Sequence, residues 1–309
     1  MTTKTLSTAN IYGLLTLSNN DLYFLESLPR HAAARVFGKT YDPEMSAAGN
    51  AAAVTLEKLP RFYKEMKKEK AFQEKRARAA AIIARIAAGV TLSIDETLFI
   101  KNLINESVSI GTGKLTGINS ISTAVFLNHN CGVFSKIAGA ICSKCYALKY
   151  TGFRSDLSRK LELNTVIYSG ALLPLELLPV INARFFRFES FGDLINKIQQ
   201  LNYINIVKNN RMVLFAQWTK NPLITAAALR DTVKPHNLQI IYSSKMINNA
   251  GNIEKIRDIF PFIDKVFTVY DPRYIKENNI NINCGGRSCL NCLNCYTAGG
   301  DTVINEKLK

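Results

Sequence analysis

The sequence predicts an α/β protein: a partial or distorted TIM-like barrel of parallel βα units behind a helical N-terminal region. Three observations predict it. Short apolar runs recur between residues 184 and 270, and helical patterns separate them. Strands joined by single helices pair in parallel. The runs are apolar throughout rather than alternating, as befits strands buried on both faces.

The elements follow in order. Residues 21–28 form a short amphipathic piece. Residues 56–89 read as helix, rich in Ala, Lys, Glu and Arg, with an expected break near Lys70 and Gly89 as its stop. Ser93 and Glu96 have capping-box spacing, so 95–107 is a further helix. Residues 109–168 open with a turn-rich stretch (Gly111, Gly113, Gly117, Asn119) and continue with helices near 144–149 and 158–169. Then come strand 184–189 (RFFRFE), helix 193–208, strand 212–217 (MVLFAQ) and helix 222–232, with Pro222 at its start. Strand 238–242, helix 252–260 and strand 265–270 (KVFTVY) complete the array. Two regions result: a helical basic region over 1–108 and a cysteine-containing α/β domain over 109–309.

Composition narrows the function classes. With 309 residues and 47% hydrophobic content, the chain can bury a core without disulfides. A formal net charge of +15 favours a polyanionic partner, here nucleic acid or a nucleotide. The longest apolar run, near 79–88, is interrupted by Arg85 and is too short to span a bilayer. The first twenty residues carry no apolar signal core. The expectation is a cytoplasmic protein of a host cell with no membrane partner, where clustered cysteines are more often ligands than disulfides.

All seven cysteines fall into two clusters, Cys131-x10-Cys142-x2-Cys145 and Cys284-x4-Cys289-x2-Cys292-x2-Cys295. Thiolates three residues apart on a turn converge on one point, as a metal or cluster requires. The C-x2-C-x2-C run resembles ferredoxin ligation, so an iron–sulfur cluster, of the [4Fe-4S] type, is the expected cofactor. A four-cysteine zinc site is the alternative. Consecutive x2 spacings close poorly around a cube, so the C-terminal four make a difficult site by themselves. One cluster shared by both segments and two clusters, one with only three cysteines, both stay open. Tyr146 and Tyr296 each follow a C-x2-C pair and would shield a cluster from water.

In parallel α/β folds, ligands sit at the carboxyl ends of the strands. Glu189 and Asp193, Lys220 and Asp271 follow successive strands and are the candidate pocket residues. Glu189 and Asp193 could form a carboxylate pair, and Lys220 could hold an anionic group. Ser190, Trp218, Lys245 and Arg273 share these loops. Gly111-Thr-Gly-Lys114 lacks the full phosphate-loop pattern and reads as a turn. His129 could be an extra ligand but reads better as a packing or solvent residue. No C-x3-C-x2-C motif occurs, which weakens a radical S-adenosylmethionine reading despite the barrel-like pattern. Residues 61–85 carry nine Lys or Arg and three Glu, a face that could track phosphates.

Taken together, Gly113-Lys114, Cys131…Cys142-Ser-Lys-Cys-Tyr-Ala147, Arg187-Phe-Glu-Ser-Phe-Gly-Asp193, Phe215-Ala-Gln-Trp-Thr-Lys220 and the C-terminal cysteines resemble the phage "gene product 88" domain family. The resemblance covers about residues 109–300. The family's S-G-D motif appears here with an inserted residue, Ser190-Phe191-Gly192-Asp193. The resemblance implies a phage or mobile-element protein with a functional cluster and supplies no activity. The reading is an iron–sulfur protein acting on a nucleotide or nucleic acid at the mouth of the βα array. The alternative is a non-enzymatic nucleic-acid-binding module with a structural metal.

Overall fold

A computed structural model describes residues 17–308. The described residues divide into two compact units, those up to 78 with 152–155, and residues 79–151 with those from 156 onward. The division falls inside the long helix Leu59–Ala87, and helix Ile94–Ser107 belongs to the second unit.

The first unit is helical. Asn19–Ser27 starts at a capping box in which Ser18 and Asp21 satisfy each other's backbone amides. Leu25, Val36, Phe37, Phe62 and Met66 form its core. Leu59–Ala87 runs unbroken through Lys70, against the expected interruption. Tertiary partners account for this: Glu69 is buried against Arg35, and Lys70 pairs with Asp21, so the charged turn is held helical.

In the second unit, Gly89 adopts φ +70°, a left-handed conformation, and its amide closes on the Ile86 carbonyl to end the helix as expected. The Ser93–Glu96 capping box forms and starts Ile94–Ser107. A seven-stranded sheet follows in sequential order: β1 Ser109–Ile110, β2 Asn119–Ile121, β3 Phe185–Phe188, β4 Leu214–Thr219, β5 Leu238–Ser243, β6 Lys265–Tyr270 and β7 Val303–Lys307. Strands β2 to β7 are parallel, and β1 is antiparallel to β2. The partial TIM-like barrel is not formed. The antiparallel β1 ends the array at one edge, β7 ends it at the other, and the sheet stays open.

The two faces of the sheet are covered differently. Phe186, Phe188 and Phe215 face the helix layer, where Tyr203 of Lys197–Asn209 stacks on Phe188 at 4.2 Å. Gln200 of the same helix exchanges hydrogen bonds with Gln217 of β4. On the opposite face, Phe185, Ala216 and Ile241 pack with Ile118 and Tyr296, and Trp218, Cys289, Leu293 and Cys295 join them. The cysteine-rich C-terminal segment thus covers the face the helices leave open. Lys265, buried on β6, donates to the Gly299 and Asp301 carbonyls, both 3.1 Å away, and ties that segment down.

Among the described residues no helix is long and apolar enough to cross a membrane.

Candidate functional site

The seven cysteines are free thiols, all partly buried, and they separate into two groups. Cys284, Cys289, Cys292 and Cys295 line one small cavity of about 30 Å³ together with Lys114 and Tyr296. Ser288 caps the single helical turn Cys289–Cys292, and Leu293 follows at φ +54°, so the chain reverses and brings Cys295 back. That left-handed residue is what lets one short loop present three cysteines to one space. The expected difficulty of gathering the C-terminal four therefore lessens, and no thiol from the other group lines the cavity.

Lys114 sits on a 3₁₀ turn, Gly113–Leu115, and its Nζ lies 3.0 Å from Cys284 Sγ and 2.9 Å from Glu306 Oε1. Burial works against its charge, but the bonds to Cys284 and Glu306 prevail and raise its pKa. Burial pushes the Cys284 thiol up, while Lys114 pulls it down. Burial raises Cys289 as well and pushes Cys295 up to about 12, with Arg187 opposing the rise at both. The hydroxyl of Tyr296 is buried without a hydrogen-bond partner among the described residues.

The second group lies at the carboxyl edge of the sheet. Cys131 is on helix His129–Phe134, Cys142 lies in the 3₁₀ turn Ile141–Lys144, and Cys145 follows that turn just before Tyr146. Burial raises the thiol pKa of Cys131 and of Cys142, and nearby thiols add to it, Cys142 and Cys145 at Cys131 and Cys145 at Cys142. Asp193 and Lys220 lie within electrostatic reach of both. Backbone contacts place this loop. Ile141 N–H donates to the Lys245 carbonyl, Ile247 N–H to Gly139, and Ala140 bridges Met246, so the segment rests on the end of β5. At the end of β3, buried Asn128 accepts from the amides of Asn130 and Cys131 and donates to the carbonyls of Asp193 and Leu194.

The candidate pocket residues fare unequally. Asp193 is buried and accepts from Thr219 Oγ1 and the Lys220 amide, each at 2.8 Å. Its carboxylate fixes the ends of β3 and β4 relative to each other. Lys220 reaches the cysteines, and its Nζ has no hydrogen-bond or ion-pair partner among the described residues. Glu189 adopts φ +55°, which turns its side chain back toward the helix layer. There Thr123, Gln199 and Tyr203 all donate to its carboxylate. Burial still pushes its pKa up to about 8. Glu189 and Asp193 are neighbours, but each is saturated by its own donors, and the geometry gives them positioning roles rather than an open carboxylate pair. Asp271 caps helix Pro272–Glu277 by accepting from the Arg273 amide. His129 is exposed at the start of its helix.

Sequence reasoning did not single out Lys114, Asn128 or Arg187 as site residues. Arg187, on the inner face of β3, stacks over Trp218 at 3.7 Å, and its buried Nε has no partner among the described residues. It acts electrostatically on Cys289 and Cys295 on one side and Tyr146 on the other. An arginine inside an otherwise apolar strand was the available signal.

Among the described residues, no group of three or more His, Cys, Asp or Glu side chains is already drawn together as a metal site. The donor chemistry nonetheless fits an iron–sulfur cluster. Each group offers several thiols from closely spaced positions, cations offset the thiolate charge, and the orphaned Tyr296 hydroxyl is a ready donor to sulfur. Compared with protein-family models, curated proteins and solved structures, the chain finds no match, and the resemblance to the gene product 88 domain rests on its motifs alone.

Proposed function

We infer that the protein is an iron–sulfur protein with two centres, acting on a nucleotide or nucleic acid at the carboxyl edge of its open parallel βα sheet. The observation that carries this reading is the partition of the cysteines, four around one cavity and three on the edge where parallel α/β proteins bind ligands. In this reading Cys284, Cys289, Cys292 and Cys295 hold a fully ligated cluster suited to electron transfer or structure. Cys131, Cys142 and Cys145 hold a second cluster with one iron free of protein thiolate. Such a cluster supplies a Lewis-acidic or redox-active iron. The chain's residues orient the loop (Asn128, Asp193) and neutralise charge (Lys220, Lys245). A phage or mobile-element setting belongs to the same proposal.

Anaerobic purification with a visible absorption spectrum and iron, sulfide and zinc analysis tests it. A brown protein with iron and sulfide in equal amounts is expected. A colourless, zinc-loaded protein overturns the reading in favour of a structural zinc site.

A further inference from the structure

We propose that the carboxyl ends of β3 and β4 hold a binding site for the phosphate group of a nucleotide, with the Arg187 guanidinium as its anchor and Ser190 and Lys220 as further donors. The proposal rests on the nucleotide reading of that edge and requires no metal.

Arg187 is a cation whose counter-anion the fold has turned away. Residues i and i+2 of a strand share a face, so a fully extended chain would set Glu189 beside Arg187. Instead Glu189 turns at φ +55°, and its carboxylate accepts from Thr123, Gln199 and Tyr203 in the helix layer. Asp193, the other carboxylate at this edge, accepts from the Thr219 hydroxyl and from the amides of Leu194 and Lys220, each at 2.8 Å. Arg187 is left with no hydrogen bond or ion pair among the described residues, and its Nε is buried without a partner. A partly buried guanidinium without an anion is costly, and an anion from outside the chain relieves that cost.

The strand register aims this cation at the carboxyl edge. Ala216 is the register partner of Arg187, and Trp218 lies two residues further toward the carboxyl end of β4. The guanidinium carbon sits 3.7 Å from the Trp218 ring centroid, so the side chain leans toward that end. Stacking on the ring fixes the guanidinium plane and leaves its N–H edge for two oxygens of one ligand group.

Two more donors lie at the same edge. Ser190, three residues after Arg187, is only 5% exposed, and its Oγ has no hydrogen-bond partner among the described residues. The Lys220 amide is held by Asp193, while its Nζ has no partner among the described residues. Tyr146 links the three. Its hydroxyl donates to the Ser190 carbonyl, and both Arg187 and Lys220 act electrostatically on that hydroxyl. Two cations and a hydroxyl suit a phosphate, with its near-double charge and three terminal oxygens, better than a carboxylate with two oxygens.

An aromatic platform beside these donors selects a nucleotide over free phosphate. Tyr146, Tyr150 and Phe191 meet with ring centroids 5.8–6.4 Å apart, yet Tyr146 remains 55% and Tyr150 45% exposed. Bases stack on exposed rings of this kind. The bond from Tyr146 to the Ser190 carbonyl sets the platform next to the phosphate donors.

The test uses the full chain, purified anaerobically with its metal content recorded. Isothermal titration calorimetry follows adenosine 5′-monophosphate, inorganic phosphate and adenosine. The monophosphate is expected to bind, inorganic phosphate to compete with it more weakly, and adenosine to bind at least tenfold more weakly than the monophosphate. Arg187→Gln is expected to weaken the monophosphate at least tenfold and to leave adenosine unchanged. Arg187→Lys, which keeps the charge but not the fork, is expected to fall between. Ser190→Ala removes a hydroxyl that bonds to nothing in the free protein, so a several-fold loss of affinity at unchanged melting temperature is expected. Ser190→Ala and Arg187→Lys decide the matter if circular dichroism shows Arg187→Gln misfolded. Arg211→Gln removes the same charge from an exposed position just before the amino end of β4 and is expected to bind as the unaltered protein does. Equal affinity for the monophosphate and adenosine, full affinity in Arg187→Gln, or an equal loss in Arg211→Gln overturns the proposal while the nucleotide reading stands. Inorganic phosphate bound as tightly as the monophosphate overturns the nucleotide as its source. No binding of monophosphate or phosphate at millimolar concentration overturns the proposal and the nucleotide reading together.

Discussion

Lys114 Nζ donates to Cys284 Sγ at 3.0 Å across 170 residues of sequence, and the same ammonium pairs with Glu306 at 2.9 Å. One cation therefore serves both a thiol, whose deprotonation Glu306 would otherwise oppose, and the carboxylate itself. Lys114→Ala removes that cation. The ion pair itself is worth about 1 kcal/mol, so the fold is expected to survive with a small drop in melting temperature. The thiol chemistry changes more. With Lys114 gone, the Cys284 pKa rises further, because its lowering influence is removed while burial and Glu306 remain. Titration of the metal-free protein with a thiol reagent is expected to show Cys284 reacting more slowly at pH 8. Lys114→Arg, which keeps the charge, is expected to retain most of the rate.

Asn128 performs the corresponding task for the other group. Its amide donates to the Asp193 and Leu194 carbonyls at 2.9 and 3.1 Å, while its oxygen caps the helix that carries Cys131. Asn128→Ala leaves two buried carbonyls unsatisfied and a helix uncapped, a loss of about 2–4 kcal/mol. Asn128→Asp keeps the cap but not the donors and is expected to fall between. Under a chelator, the alanine variant is expected to lose the iron of the three-cysteine group first, while the four-cysteine group keeps its own. Equal release from both groups would show that Asn128 stabilises the whole fold without positioning the loop.

How much of this was legible follows from what each element depends on. β3 to β6 could be read because apolar residues dominate those runs, with Arg187, Gln217, Gln239 and Thr268 as isolated interior polar positions, and no tertiary information is needed to see it. β1, β2 and β7 could not. Asn119–Ile121 lies in a glycine-rich stretch, and Val303–Lys307 is charged, so both become strands only because a neighbour supplies a ladder. The partial barrel was over-read, since consecutive βα units specify sequential order but not whether the sheet curls toward closure. The cysteine spacing revealed two clusters. It could not reveal that Leu293 takes a left-handed turn to gather the C-terminal four, nor that Lys114 and Arg187 come to lie beside them. Glu189 was misread for a backbone reason: its positive φ reverses the side-chain direction that strand alternation implies.

In the helical unit, Arg35 and Glu69 form a two-pronged pair at 2.9 and 2.5 Å, with the side chains 4% and 0% exposed. Arg35→Met leaves Glu69 buried without that partner and is expected to cost about 3–5 kcal/mol. Arg35→Met combined with Glu69→Leu is expected to recover much of the loss, because two apolar side chains carry no desolvation penalty. Thermal melts of the single and double variants followed by circular dichroism decide this. A double variant as unstable as the single one would mean that packing, and not the isolated charge, dominates.

Glu189 predicts a pH dependence of stability with a definite sign. Its pKa is pushed up to about 8 in the folded protein by burial, against an ordinary value of 4.5. In that window the folded state holds a proton that the unfolded state has released, so stability falls as pH rises from about 4.5 to about 8 and levels off above. Asp193 adds to the effect through its charge, and the donors Tyr203 and Thr123 oppose it. Glu189→Gln removes the titration. It also turns an amide NH₂ toward the Thr123 amide, which the carboxylate had accepted, so the variant is expected to be less stable at pH 5 by about 1–3 kcal/mol. Its stability is then expected to stay level to pH 8, where the unaltered protein has lost part of its advantage. Urea unfolding at half-unit pH steps reads the two slopes. Parallel slopes would show that Glu189 is ionised throughout and that its four donors outweigh its burial.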